Sequence, residues 1–273
     1  MAGASVWNTP TVDAKRRLLY FTTGKTRWVT QVLEGDIWSG GCEPTLGGRP
    51  DNPGCADPVG PDFDFAASPV LTTVGGKDYL IATQKSGLGF AFDPDNGKQL
   101  WSYRWGEGAA AGGVYGTATD GERVWFTPPG DLLCNAGPSC TPVQAAAVTA
   151  IPGVVFSGSW DGGLRAHDSK TGEILWVLDT NKEFPAVNGV KANGGSMDGA
   201  GPIIVNGMLY VVAGNGGPLG SAGNVVLAFA LECRDSKRDA IAFPTWGPSN
   251  RELPRIRPRT GAWYRRPAQR PAS

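Results

Sequence analysis

Little in this chain can build a helix. Forty Gly and 22 Pro among 273 residues leave few segments able to hold a helix interior, where Gly costs about 1 kcal/mol and Pro about 3 kcal/mol relative to Ala. No long segment shows apolar residues at helical spacing. No apolar run is long enough for a transmembrane helix, which needs roughly 18 residues or more. There is no CxxC pair and only one histidine, His167, which disfavours a Cys/His metal site, and no CxxCH, which excludes a covalently attached c-type haem. The first residues, Met-Ala-Gly-Ala-Ser-Val-Trp, carry neither a basic nor an apolar leader region, so no signal peptide is expected. Net charge is absent too, at zero, but it is unevenly placed. Residues 233–273 hold ten Lys or Arg against three acids and six Pro, while residues 1–232 are correspondingly acidic. This places a boundary near Glu232, between a folded body and a basic, Pro/Arg-rich tail with no strand pattern, expected to be disordered. An acidic body is a poor reader of nucleic acid.

What the chain has is a repeat. Gly, then Lys or Glu, two further residues and Trp recur at Gly24–Trp28, Gly97–Trp101, Gly121–Trp125 and Gly172–Trp176. Residues 80–101 and 155–176, at an offset of 75, match at Gly87/Gly162, Ala91/Ala166, Asp93/Asp168, Gly97/Gly172, Leu100/Leu175 and Trp101/Trp176. Repeats of this kind are read as propeller blades of about 40–50 residues. The unit is a buried strand such as Tyr79–Thr83, a Gly turn, a second strand such as Gly89–Phe92, the turn Asp93-Pro94-Asp95-Asn96-Gly97, and a third strand that delivers the Trp. A Trp at a fixed place in each unit suits packing between successive sheets, its indole N–H bonded to a neighbouring backbone carbonyl. Trp101 and Trp176 are expected to be buried at equivalent places. His167 falls where Phe92 stands in the other copy and reads as a strand residue rather than a catalyst.

Five cysteines remain. Cys42 with Cys55, and Cys134 with Cys140, lie as two close pairs in Gly/Pro-rich loops. Two loop-closing disulfides and an oxidising compartment are the reading; free thiols are the alternative.

These residues together resemble the tryptophan-docking repeat of the quinoproteins. Val6-Trp7-Asn8-Thr9-Pro10-Thr11-Val12-Asp13 followed by Tyr20-Phe21-Thr22-Thr23-Gly24 resembles one of its blades. Gly60-Pro61-Asp62-Phe63-Asp64-Phe65, the run Gln144–Ser159 and the run Asn188–Pro202 are similar to the polyvinyl-alcohol-dehydrogenase branch. The resemblance covers residues 3–231. It implies an all-β, eight-bladed propeller, of which this chain holds strands for about four blades, some incomplete. It also implies oxidation of a small or polymeric alcohol by two-electron transfer to pyrroloquinoline quinone (PQQ), with Ca²⁺ bound, an Asp as base, a cytochrome c as possible acceptor, and a periplasmic or secreted location.

The resemblance places Lys85 against the quinone oxygens, with Trp160 at the matching place in the second repeat and Asp198 in a Gly-rich loop on the same face. Asp62 and Asp64 are candidates for the catalytic carboxylate. Each Asp has the alternative role of a turn-former, and Trp160 that of a packing residue. Two departures count against chemistry. Lys25 stands where related enzymes place an Asn that ligates calcium, and a charged Lys cannot ligate a metal. Strands are missing after Gly24 and again within Thr117–Trp125; the first missing stretch is where the resemblance places the catalytic Asp. The chain is therefore expected to be a truncated propeller of dehydrogenase lineage with weak or no activity. A non-catalytic propeller scaffold, or a gene fragment without independent function, is the alternative.

Overall fold

The computed structural model describes residues 9–20, 27–44, 47–106, 108, 115–126, 133, 143–214 and 220–230. They form an all-β partial propeller, with no α-helix among the described residues. Strands β1 (Thr11–Asp13) and β2 (Leu18–Tyr20) make a hairpin. A four-stranded antiparallel blade follows: β3 (Val70–Val74), β4 (Lys77–Gln84), β5 (Leu88–Phe92) and β6 (Gln99–Arg104). Next comes the short pair β7 (Ala118–Thr119) and β8 (Val124–Trp125). The second four-stranded blade is β9 (Thr149–Ile151), β10 (Val154–Gly158), β11 (Gly163–Asp168) and β12 (Ile174–Asp179). The pair β13 (Glu183–Phe184) and β14 (Ala192–Asn193) leads to a three-stranded sheet of β15 (Ile203–Val205), β16 (Met208–Ala213) and β17 (Val225–Ala230).

The internal repeat is a repeat of geometry. Ala91 pairs with Trp101 and Ala166 with Trp176, and a bulge follows each Ala. In the short sheet Ala118 pairs with Trp125, but its β7 lies beside the innermost strands β3 and β9, the Thr119 and Thr72 hydroxyls 3.3 Å apart; it is the inner half of a blade, standing where the sequence fuses two repeat landmarks. The turns also match. Gly97 N–H donates to Asp93 C=O and Gly172 N–H to Asp168 C=O, both at 2.9 Å. The Asp side chains cap these turns through Asp95 N–H and Lys170 N–H, each at 2.8 Å.

Successive sheets are joined by tryptophan. The Trp28 indole donates to Pro94 C=O at 3.2 Å, and the Trp125 indole to Ser169 C=O at 3.0 Å. Pro94 and Ser169 occupy the same place in the two repeats. Gly97, at φ 75°, is required twice over: its backbone is left-handed, and a Cβ there would run into the Trp28 ring. Innermost strands are tied by Thr11 Oγ1 donating to Pro69 C=O and Thr149 Oγ1 to Pro202 C=O.

Expectation and structure part at Trp101. Trp176 is partly buried against the core and meets Phe229 edge-on, centroids 6.0 Å apart. Trp101 is 38% exposed. The sheet after β6 is the two-stranded β7–β8, too narrow to cover the outermost strand of the blade before it. His167 lies in β11 opposite Val155. It is buried beside the Ser157 hydroxyl at 3.2 Å, and burial pushes its pKa down, as suits a neutral strand residue. Cys42 and Cys55 form a disulfide with Cα atoms 5.7 Å apart. Lys25, Cys134, Cys140 and the tail 233–273 lie outside the described residues.

Candidate functional site

Every four-stranded blade turns sharply after its second strand, and one face of the protein collects these turns. The residue entering the turn is pinned by the segment leading into its own blade. Lys85 N–H donates to Asp64 C=O at 3.1 Å, and Trp160 N–H to Val143 C=O at 3.2 Å. In the three-stranded sheet Gly214 N–H donates to Ser196 C=O at 2.8 Å. The lead-in segments have no side-chain periodicity to announce them, but their Ala66 and Ala145 are fully buried and let neighbouring backbones approach. Ala66, Ala145 and Trp160 form one small apolar cluster with Tyr115 and Val143 against it.

Lys85 is the charged centre of this face. Its ammonium sits 3.0 Å from Asp62 Oδ2 and 2.8 Å from Asp64 Oδ1. The Lys85 side chain is nearly buried, Asp62 is mostly covered and Asp64 reaches solvent. Burial alone would lower the lysine pKa. Hydrogen bonds to Asp64 and Asp62 outweigh it and leave the pKa raised, so Lys85 stays charged at neutral pH. Burial pushes the Asp62 carboxyl up despite the bond from Lys85, and the Asp64 and Asp36 charges push the same way. Asp62 is held by its backbone. It has a left-handed φ of 64°, and its N–H and that of Phe63 donate to Asp36 at 3.1 and 2.6 Å. Asp36 was not legible in the sequence, because an Asx residue bridging to a segment 26 residues away leaves no local pattern.

Trp160 and Asp198 stand across from this cluster. Trp160 is 9% exposed, and its indole N–H is buried without a hydrogen-bond partner. Asp198 lies beside that indole, near enough for it to favour the carboxylate, though short of a hydrogen bond; burial dominates and raises the Asp198 pKa. Tyr115 links the two halves. Burial first, then the Asp198 charge, raise its pKa, while Lys85 lowers it. All five residues singled out in the sequence therefore belong to the same face.

The sequence reading missed a second charged pair. Asp161 and Arg165 are buried and bonded, Nη2 to Oδ2, at 2.5 Å. Asp161 also accepts from Ser159 Oγ at 2.6 Å and Gly163 N–H at 2.8 Å. Burial alone would raise its pKa, but the bonds from Arg165 and Ser159 hold it below the usual carboxylate value. Arg165 stands where Phe90 stands in the first repeat, so an Arg inside a strand with an Asp four residues before it was the available signal.

Residues 91–232 match the family model PQQ_2, described as outer membrane protein assembly factor BamB. The chain belongs to this PQQ-repeat family. Among its relatives, a polyvinylalcohol dehydrogenase of Pseudomonas sp is 36% identical over 294 residues, covering 85% of this chain and 45% of that protein. A polyvinylalcohol dehydrogenase of Sphingopyxis sp. (strain 113P3) is 33% identical over 298 residues, again 85% and 45%. Among solved structures, BamB from Moraxella catarrhalis is similar with a TM-score of 0.38 and 14% identity, over 62% of this chain and 54% of that one. The PQQ-repeat chain spans less than half the length of these dehydrogenases. The alignments are longer than the chain itself, so the relatives carry internal residues that it lacks.

The family resemblance implies two groups, PQQ and calcium. For a planar, oxygen-rich anion such as PQQ the donors fit. The Lys85 ammonium has three N–H groups, of which Asp62 and Asp64 account for two, and the orphaned Trp160 indole is a second donor. For calcium they do not. Among the described residues no three Asp, Glu, His or Cys side chains come together to hold a metal ion. The Asp62 and Asp64 carboxylates are engaged by Lys85, and Asp36 by backbone N–H groups.

Proposed function

We propose that this chain is a PQQ-dependent alcohol dehydrogenase-type propeller of the polyvinyl-alcohol branch, and that by itself it has weak or no turnover. The Lys85 ammonium between Asp62 and Asp64, with the Trp160 indole N–H buried and without a hydrogen-bond partner on the same face, carries the reading. When bound, PQQ would supply a two-electron acceptor for an alcohol. Lys85 and Trp160 would hold it, with Asp198, whose pKa burial raises, beside them. A fixed ammonium stabilises negative charge developing on a neighbouring oxygen. Asp64, the more exposed carboxylate, would accept the hydroxyl proton of a small or polymeric alcohol. Asp62, held through its backbone, keeps Lys85 in position.

Weak turnover follows from two features. Lys25 stands where the family resemblance expects an amide ligand for calcium, and the described carboxylates do not assemble a calcium site. The Cys42–Cys55 disulfide suits a periplasmic or secreted protein, where a cytochrome c could take the electrons. The description of the matching family as an assembly factor supports a second reading, a propeller scaffold that binds no cofactor.

The test is a titration of the chain with PQQ, followed by quenching of tryptophan fluorescence, beside a dye-linked assay with secondary alcohols and Ca²⁺. Saturable quenching, weakened at least tenfold by Lys85→Ala, is expected, with no measurable turnover. An absence of saturable binding would favour the scaffold. Turnover in the ordinary enzyme range, roughly 1–10³ per second, would overturn the proposed lack of activity.

A further inference from the structure

The last sheet, β15–β17, contains no charged residue in any of its three strands. A strand with apolar residues on both faces reads as one that is covered on both faces. The two inner blades obey this rule. Strand β10 is buried at every position, as are four of the five positions of β5. The last sheet obeys it on one side only. Leu209, Val211, Ala213, Val225 and Leu227 pack into the core shared with the second blade. On the opposite face Ile203, Val205, Tyr210, Val212 and Val226 are exposed, Val226 by 68%. Register joins them into one patch, with Ile203 opposite Tyr210 and Val212 opposite Val226.

The other end of the arc has a counterpart. In the β1–β2 hairpin Val12 pairs with Leu19, and these two are 69% and 58% exposed. Their neighbours Asp13 and Tyr20 point the other way. Tyr20 packs into the core of the first blade, and Arg16 ties the hairpin to Asp78 and Asp95 of that blade at 2.9 and 2.7 Å. The hairpin is thus firmly held with its apolar pair turned outward.

We infer that this chain forms a closed dimer, in which the β15–β17 face of each copy packs on the β1–β2 face of the other. The same blade-on-blade contact already exists inside the chain, between the second blade and the inner face of β15–β17. The chain's own tail is a poor alternative cover, since residues 233–273 carry ten Lys or Arg and six Pro and offer charge to a face that has none. A head-to-tail contact either closes or grows into an open filament. Closure after two copies leaves neither apolar face exposed.

The experiment is sedimentation velocity and light scattering on the full chain across micromolar concentrations. The expected mass is twice 28.6 kDa. Val212→Glu at one end and Leu19→Glu at the other should each break the dimer. Mixing the two variants should restore a dimer at roughly half occupancy, because one intact contact survives between them. Circular dichroism checks that both variants keep their β structure. Should either glutamate variant misfold, Val226→Thr and Val12→Thr, which keep the branched shape, should weaken the dimer at least tenfold. A monomer throughout the concentration range, unlimited growth, or a dimer that Val212→Glu breaks and Leu19→Glu does not, would overturn the inference.

Discussion

The indole of Trp125 donates to the backbone carbonyl of Ser169, 44 residues further along, at 3.0 Å. This bond fastens a sheet of only two strands to a complete blade. Replacing Trp125 with Phe keeps most of the ring and removes the donor. The expected loss is about 0.5–1.5 kcal/mol, the net value of an ordinary hydrogen bond, read as a lower urea midpoint. Trp101→Phe, at a ring more than a third exposed, should change the midpoint less.

Lys85→Met should leave Asp62 and Asp64 facing each other without their shared cation. The expected cost at pH 7.5 is about 1.5–3 kcal/mol, the range for hydrogen bonds to charged groups. The sign with pH follows from Asp62, whose pKa is already raised in the native protein. A raised carboxyl favours folding below its unfolded value of 3.8 and costs stability as the pH rises through its native value. Losing Lys85 raises it further. The deficit of the variant should therefore shrink between pH 7.5 and pH 4, measured by urea unfolding at both.

At Asp161 the sign is reversed. Its pKa is held below 3.8 in the native state, so the stabilisation is present above about pH 4 and is lost as the pH falls through the depressed value. Arg165→Met at neutral pH strands a buried carboxylate and should cost about 3–5 kcal/mol. Adding Asp161→Asn should recover part of that loss and flatten the acid limb of the stability profile.

Reduction of Cys42–Cys55, 13 residues apart in sequence, should destabilise the protein by about 3 kcal/mol, the figure for closing a loop of roughly 15 residues. Thermal melting with and without a reductant checks this. The Cys42→Ser, Cys55→Ser double variant should melt like the reduced protein and be insensitive to the reductant.

The repeat was legible because blades reuse one strand–turn–strand unit, and its landmarks Asp93, Gly97 and Trp101 recur at Asp168, Gly172 and Trp176. Lys85, Asp62 and Asp64 were read from the family resemblance, and the repeat adds only that Lys85 enters the same turn in its blade that Trp160 enters in the next. What the sequence hid was whatever depends on a neighbour. Trp101 carries the same signature as Trp176, yet its burial is decided by the width of the sheet beyond it. Asp36 buttresses Asp62 from a separate segment, and the Arg165–Asp161 pair breaks the apolar pattern of β11 without any echo in β5.

The carbonyls that receive Trp28 and Trp125 belong to Pro94 and Ser169, two residues with no side-chain chemistry in common. A joint made to main chain places no demand on the residue that supplies it, beyond the shape of the turn. Any sheet ending in a correctly placed indole can therefore mate with any blade bearing that turn. Whole strands can be gained or lost between two joints without a compensating change on the other side, as with couplings cut to one gauge.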